Sequence, residues 1–75
     1  MKQQEKINLI HTILEKKIYN FHELDEKNMI LKSNGKATPT TQYYEKRELV
    51  DLMNDLFDAQ IKYRVDNDTN TIIIE

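Results

Sequence analysis

Apolar residues recur along the first part of the chain with the period of an α-helix. Between residues 6 and 21 they return every three or four positions. The stripe consists of Ile7, Ile10, Leu14, Ile18 and Phe21, and it is widened by Leu9 and Ile13. Residues with this spacing lie on one face, because a helix has about 3.6 residues per turn. The pattern predicts an amphipathic helix over residues 6–21.

A second amphipathic helix is predicted over residues 43–59. Its inward face is predicted to consist of Leu49, Leu52, Met53 and Leu56, broadened on one side by Val50 and Phe57. Apolar residues three and four positions apart are typical of a helix that packs on a core.

Two hairpins are predicted, one between the helices and one after them. The first joins residues 28–33 to residues 36–42 through Asn34 and Gly35, a common turn pair, with Pro39 confining the second arm to a sheet edge. The second joins "IKYRV" to "TIIIE" through the polar loop "DNDTN", and both arms are rich in β-forming residues. No internal repeat is visible. The pattern predicts an α+β fold, with two amphipathic helices packed on a small antiparallel sheet in the order α-β-β-α-β-β.

The last predicted strand is apolar on both faces. It contains three consecutive isoleucines at residues 72–74, and consecutive residues of a strand point to opposite faces of the sheet. Such a strand needs cover on both faces, from a helix layer, another strand or a second copy of the chain. We therefore expect a homodimer that shares this edge or a helix face. The predicted core contains Ile10, Leu14, Ile18, Leu49, Leu52, Met53, Leu56, Ile61, Tyr63 and Ile73 or its neighbours.

Composition and charge narrow the possible classes of protein. The chain of 75 residues has room for a single small domain, residues 1–75. The absence of cysteine excludes disulfides and thiolate metal sites and suits a cytoplasmic location. No apolar run approaches the length of a membrane span, so no membrane contact is expected. The net charge of −2 is divided unevenly, with net +2 in residues 1–36 and net −4 in residues 37–75.

The strongest candidate for a binding surface is a row of carboxylates on the second helix. Glu48, Asp51, Asp55 and Asp58 recur every three or four residues and lie on an arc opposite the centre of the leucine face. Any soluble helix places charge on such an arc. Here, however, like charges repel one another, and Asp55 and Asp58 lie near the negative end of the helix dipole. Because this row of carboxylates destabilises the helix, its presence favours an interaction function.

We expect this row, with Tyr43 and Tyr44 beside it, to bind another protein that has a basic surface. The small size and the lack of a catalytic set suit an inhibitor or modulator of a nucleic-acid-handling protein, of the kind that mobile genetic elements carry. Nothing in the sequence identifies the target.

An alternative is a winged-helix DNA-binding transcriptional regulator. The segment "LVDLMNDLFDAQIKYRV" with the apolar strand after it resembles the helix and wing of such regulators, and "FHELDEKNMI" would supply a further helix. Contacts with nucleic acid would come from Lys27, Lys32 and Lys36. The same lysines would equally protect an exposed strand edge from aggregation. The acidic helix disfavours this alternative, because a recognition helix needs basic or amide side chains.

Residues suited to catalysis or cofactor binding are few. His11 and His22 lie in separate segments, and a zinc site generally needs three or four converging ligands. The one serine, Ser33, lies in a predicted turn, and no glycine-rich loop is present to hold a phosphate. We therefore expect a protein that is not an enzyme and that binds neither a metal nor a cofactor.

Overall fold

Two helices and one four-stranded sheet make up the computed structural model, which describes residues 1–75. The elements are α1 (Gln3–Lys17), β1 (His22–Asp25), β2 (Ile30–Ser33), α2 (Gln42–Asp58), β3 (Tyr63–Asp66) and β4 (Thr71–Ile74). The strands lie in the order β1-β2-β4-β3, and every neighbouring pair is antiparallel. The predicted α+β fold and its order α-β-β-α-β-β are confirmed.

The core lies between the helices and one face of the sheet. Because strand residues alternate between faces, Leu31, Ile72 and Ile74 point together toward the helices, and all three are buried. The fully buried side chains are Ile10, Leu31, Leu52, Leu56 and Ile72. The opposite face of the sheet carries no helix, and there Ile30 lies beside Ile73, both half-buried.

The first helix ends at Lys17, so the predicted end at residue 21 is wrong. Ile18 adopts a left-handed conformation (φ 51°), and its side chain is 75% exposed, so its predicted place in the core is also wrong. The backbone N–H groups of Ile18 and Tyr19 both donate to the carbonyl of Leu14, which closes the last turn. The chain can then turn back toward the sheet.

The first hairpin is not formed by the residues predicted from the sequence, which were 28–33 and 36–42. Strands β1 and β2 pair through a turn at residues 26–29, whereas Asn34 and Gly35 follow β2. The carboxylate of Asp25 accepts hydrogen bonds from the backbone and side-chain nitrogens of Asn28, which favours this turn. The Asn34 side chain donates to the carbonyl of Asn20 (2.7 Å) instead of turning the chain between two strands. No strand forms over residues 36–42.

Two of the three isoleucines of β4 are covered by the helices of the same chain. Strand β4 is central, between β2 and β3, so the predicted exposed edge at this strand does not exist. Ile72 and Ile74 are buried under the helices, and the half-buried Ile73 faces the open side. Among the other predicted core residues, Leu14, Met53 and Tyr63 are half-buried against the core, Ile18 is exposed, and the rest are buried. Leu31 and Ile7 are also buried, although the predicted core list contains neither; Ile7 belongs to the predicted apolar stripe of the first helix.

The topology has an internal two-fold symmetry that the sequence does not show. Each half consists of a helix, a strand, a four-residue turn and a second strand. Met29 and Asn70 occupy equivalent positions in the two turns, and both have φ 53°. Leu31 and Ile72 are also equivalent, and they pair with each other at the centre of the sheet. Asp25 and Asp66 are the only equivalent strand or turn residues that are identical.

The fold differs from the three-helix layout that the winged-helix alternative requires. The segment predicted to supply its additional helix forms β1, the turn and part of β2. Both helices of the molecule are too short or too polar to span a lipid bilayer.

Candidate interaction surface

Glu48 lies inside the fold and joins α2 to the connection between α1 and β1. Its Oε1 accepts a hydrogen bond from the backbone N–H of Asn20 (2.6 Å), and its Oε2 accepts one from that of Phe21 (2.8 Å). The buried imidazole of His22 donates from Nδ1 to Oε2 as well (2.6 Å). Only 9% of Glu48 is exposed. The prediction that Glu48 lies on the solvated arc is therefore wrong.

The His22–Glu48 pair has the carboxylate–imidazole contact that nucleophilic enzymes use, and Ser33 pairs with His22 across the strands. The nucleophile is missing from this arrangement. His22 Nε2 is buried and has no hydrogen-bond partner, while the Ser33 hydroxyl donates to Glu45 (3.4 Å). The imidazole side chain is fully buried, so no substrate can reach Nε2 in this conformation. The contacts present hold the α1–β1 connection against α2.

Asp55 also faces inward, toward the end of α1. Its carboxylate accepts hydrogen bonds from Lys17 Nζ (2.7 Å) and from the Tyr19 hydroxyl, and its side chain is 13% exposed. Burial raises the pKa of this carboxyl, but the hydrogen bonds from Lys17 and Tyr19 together outweigh it and hold the pKa below its usual value of 3.8. Burial and the same hydrogen bond raise the pKa of the Tyr19 hydroxyl. Asp55 thus stabilises the contact between the two helices.

Asp51 and Asp58 are the two members of the carboxylate row that remain exposed. The acid–base contacts of the molecule are His11–Glu26, Lys17–Asp55, His22–Glu48 and Lys32–Asp25, and none involves these two residues. Both still contribute to the local field. The hydrogen bond to Asp55, reinforced by the charges of Asp55, Asp51 and Asp58, raises the pKa of the exposed Lys17 above 10.5. A cation at the position of the Lys17 ammonium group is therefore attracted by several carboxylates at once.

Apolar side chains lie exposed beside these carboxylates. An open depression between the end of α1 and α2 is lined by Ile18, Phe21, Tyr44, Arg47 and Asp51, among other residues. Tyr44 is 59% exposed, and its ring meets that of Tyr43 edge to face, with centroids 5.7 Å apart. We call Ile18, Tyr44, Asp51 and Asp58 the α1–α2 surface. It combines exposed apolar area with unpaired negative charge.

A second exposed feature of α2 is a row of three large apolar side chains, which we call the apolar row. Tyr43 is 65% exposed, Val50 53% and Phe57 76%. The prediction that Val50 and Phe57 broaden the core face is therefore wrong. The buried face of α2 is shifted toward Glu48 and Asp55, because that side of the helix packs on the α1–β1 connection. The shift leaves the other flank in solvent.

The three lysines assigned to nucleic-acid binding do not converge. Lys27 lies in the turn between β1 and β2, whereas Lys36 follows β2 at the opposite end of the hairpin. Lys32 lies on the open face of the sheet, 3.9 Å from Asp25. The two histidines are also apart: His11 contacts Glu26 at the surface (2.7 Å), and His22 is buried. No three His, Cys, Asp or Glu side chains converge where they could hold a metal ion.

Part of this arrangement could have been predicted from the sequence. On a helical wheel, Glu48 and Asp55 are the two members of the carboxylate row closest to the leucine face, with Glu48 about 40° from Leu52. The sequence carries no sign of the backbone N–H groups that these carboxylates bind. Those groups become donors in need of partners only because α1 ends at Lys17.

Comparison of the chain with protein-family models, with curated proteins and with solved structures gives no match. The function is therefore inferred from the surface alone.

Proposed function

We propose that this protein is a small non-catalytic interaction module that docks through the α1–α2 surface onto another protein. The observation that carries the proposal is Ile18. A β-branched residue in the left-handed region is strained, and this one recovers little by burial because it is 75% exposed. Glycine would end α1 at lower cost. Strain of this kind at an exposed apolar side chain is typical of a residue retained for binding.

The charges beside Ile18 support a partner with a basic surface. Asp51 and Asp58 are exposed and unpaired, and Lys17 already shows how the carboxylates of α2 attract a cation. Lysine or arginine side chains of a partner would meet these two aspartates, while Ile18 and Tyr44 supply apolar contact. Aromatic anchors surrounded by polar groups are typical of protein interfaces.

Nucleic-acid-binding proteins carry basic grooves, which are complementary in charge to Asp51 and Asp58. We propose that the partner belongs to this class and that docking of the α1–α2 surface blocks the path of the phosphates. The protein would then act as an inhibitor or modulator, with no chemistry of its own.

Site-specific photo-crosslinking in host cells tests whether this surface binds a partner. A photoreactive residue replaces Tyr44 in one variant and Arg64 in the matched control, since Arg64 is exposed on the opposite face of the molecule. We expect one prominent protein adduct from position 44 and none of the same mass from position 64. Equal adducts from both positions would contradict the proposed surface.

The purified partner then tests the role of charge. We expect the double variant Asp51→Lys with Asp58→Lys to bind more weakly than wild type and to lose most of the salt dependence of binding, because charge complementarity chiefly raises the association rate. The control is Glu23→Lys, which changes an exposed carboxylate on the open sheet face. Competition by duplex DNA would support the proposed block of the phosphate path, and simultaneous binding of DNA and this protein to the partner would exclude it.

A further inference from the structure

The apolar row of α2 adjoins the α1–α2 surface at Asp51, so dimerisation and docking of the proposed partner would compete for that side chain. Tyr43, Val50 and Phe57 are spaced seven residues apart, so they form an almost straight line along the helix. More than half of each side chain is exposed. Large apolar side chains that are aligned on one helix and exposed over its whole length indicate an interface with another helix.

The spacing of the row fits a second copy of the same helix. Tyr43 and Phe57 lie at equal distances on either side of Val50. If two α2 helices pack antiparallel about a two-fold axis at Val50, each Val50 meets its counterpart and each Tyr43 meets the Phe57 of the other copy. Every member of the row then has an apolar partner. We propose that the apolar row binds a second copy of this chain and forms an antiparallel α2–α2 homodimer.

The charges beside the row fit the same arrangement. Arg47 and Asp51 lie on one flank of the row, one turn apart, and neither makes an ion pair within its own chain. In an antiparallel two-fold pair the same flanks of the two helices meet. Arg47 of each copy then lies opposite Asp51 of the other, which gives two reciprocal ion pairs. A parallel pairing would not place these opposite charges together at both ends.

Sedimentation equilibrium across the micromolar range tests the dimer. We expect wild type to dimerise and Val50→Asp to raise the dissociation constant about 30-fold or more, because it places two carboxylates on the two-fold axis. Leu9→Asp is the control, since Leu9 is also an exposed apolar residue but lies on α1, away from the row, and we expect it to dimerise like wild type. A wild-type protein that stays monomeric at several hundred micromolar would overturn the proposal.

Charge reversal tests the antiparallel geometry independently of the apolar contacts. We expect Arg47→Glu to weaken the dimer and the double variant Arg47→Glu with Asp51→Lys to restore it, because the double variant exchanges the two charges without losing the pairs. Both positions are exposed, and circular dichroism checks that the fold is intact. A double variant that dimerises no better than Arg47→Glu would exclude this pairing.

Discussion

At the scale of single residues, the carboxylates of α2 have different roles despite their regular spacing. Glu48 binds three donors inside the fold, and Asp55 binds two side chains of the α1 end. Asp51 and Asp58 have no such partners. Repulsion among four like charges destabilises the helix, and for Glu48 and Asp55 hydrogen bonds within the fold offset this effect.

Replacement of Glu48 tests its structural role. Glu48→Gln turns one accepting oxygen into a donor and leaves a buried N–H group unpaired, so we expect it to lower the free energy of unfolding by about 1–3 kcal/mol. Asp58→Asn is the matched control, and we expect a change within about 0.5 kcal/mol because the residue is exposed. Urea denaturation of both variants measures the difference. Equal stabilities would mean that the Glu48 contacts contribute nothing to folding.

Replacement of Ile18 tests the strain at the end of α1. Ile18→Gly removes a β-branched side chain from a left-handed conformation, and little packing is lost because the side chain is exposed. We expect the free energy of unfolding to rise by about 1 kcal/mol. The same variant should bind the partner more weakly, so stability and binding would change in opposite directions. A destabilised Ile18→Gly variant would show that Ile18 packs more than its exposure indicates.

At the scale of elements, α2 joins the core of the sheet to the end of α1 and to the connection that follows it. Leu49, Leu52 and Leu56 lie in the core against the sheet, while Glu48 holds the α1–β1 connection. Its remaining surface carries both proposed binding features. One helix can do this because its buried face, its acidic flank and its apolar row occupy different sectors of the helical wheel.

Truncation of a core residue tests the buried face of α2. Leu52 is fully buried, and we expect Leu52→Ala to cost about 2–5 kcal/mol, enough to threaten a domain of this size. Val50→Ala on the exposed side of the same helix should change the stability of the monomer little. Thermal and urea unfolding compare the two. A stable Leu52→Ala variant would contradict the packing of α2 on the sheet.

At the scale of the whole molecule, two α-β-β units share one core. The central pair of strands, β2 and β4, comes from different units, so neither unit can bury its inward face alone. The helices are held together by polar contacts as well. Lys17 and Tyr19 from the end of α1 both donate to Asp55 of α2.

The Asp55 contact predicts a contribution to acid unfolding. The pKa of this carboxyl is lowered in the folded protein, so its contribution to stability is complete above the usual value of 3.8 and is lost as pH falls through the folded pKa. We expect Asp55→Asn to make the loss of stability below about pH 4 less steep. Tyr19→Phe, which removes one of the two donors, should have an intermediate effect. Urea denaturation at a series of pH values measures the slopes, and identical slopes would contradict this assignment.

The sequence by itself determined the number, type and order of the elements. The helical period and the β-rich arms depend on local residue patterns, and these predicted the α-β-β-α-β-β order and most of the core. Tertiary structure decided where α1 ends, which turn forms the first hairpin and which carboxylates are buried. Each of these depends on a partner distant in the chain: Glu48 with Asn20, Asn34 with Asn20, and Asp55 with Lys17. Local periodicity carries no information on such contacts, because they form only when segments distant in the chain pack together.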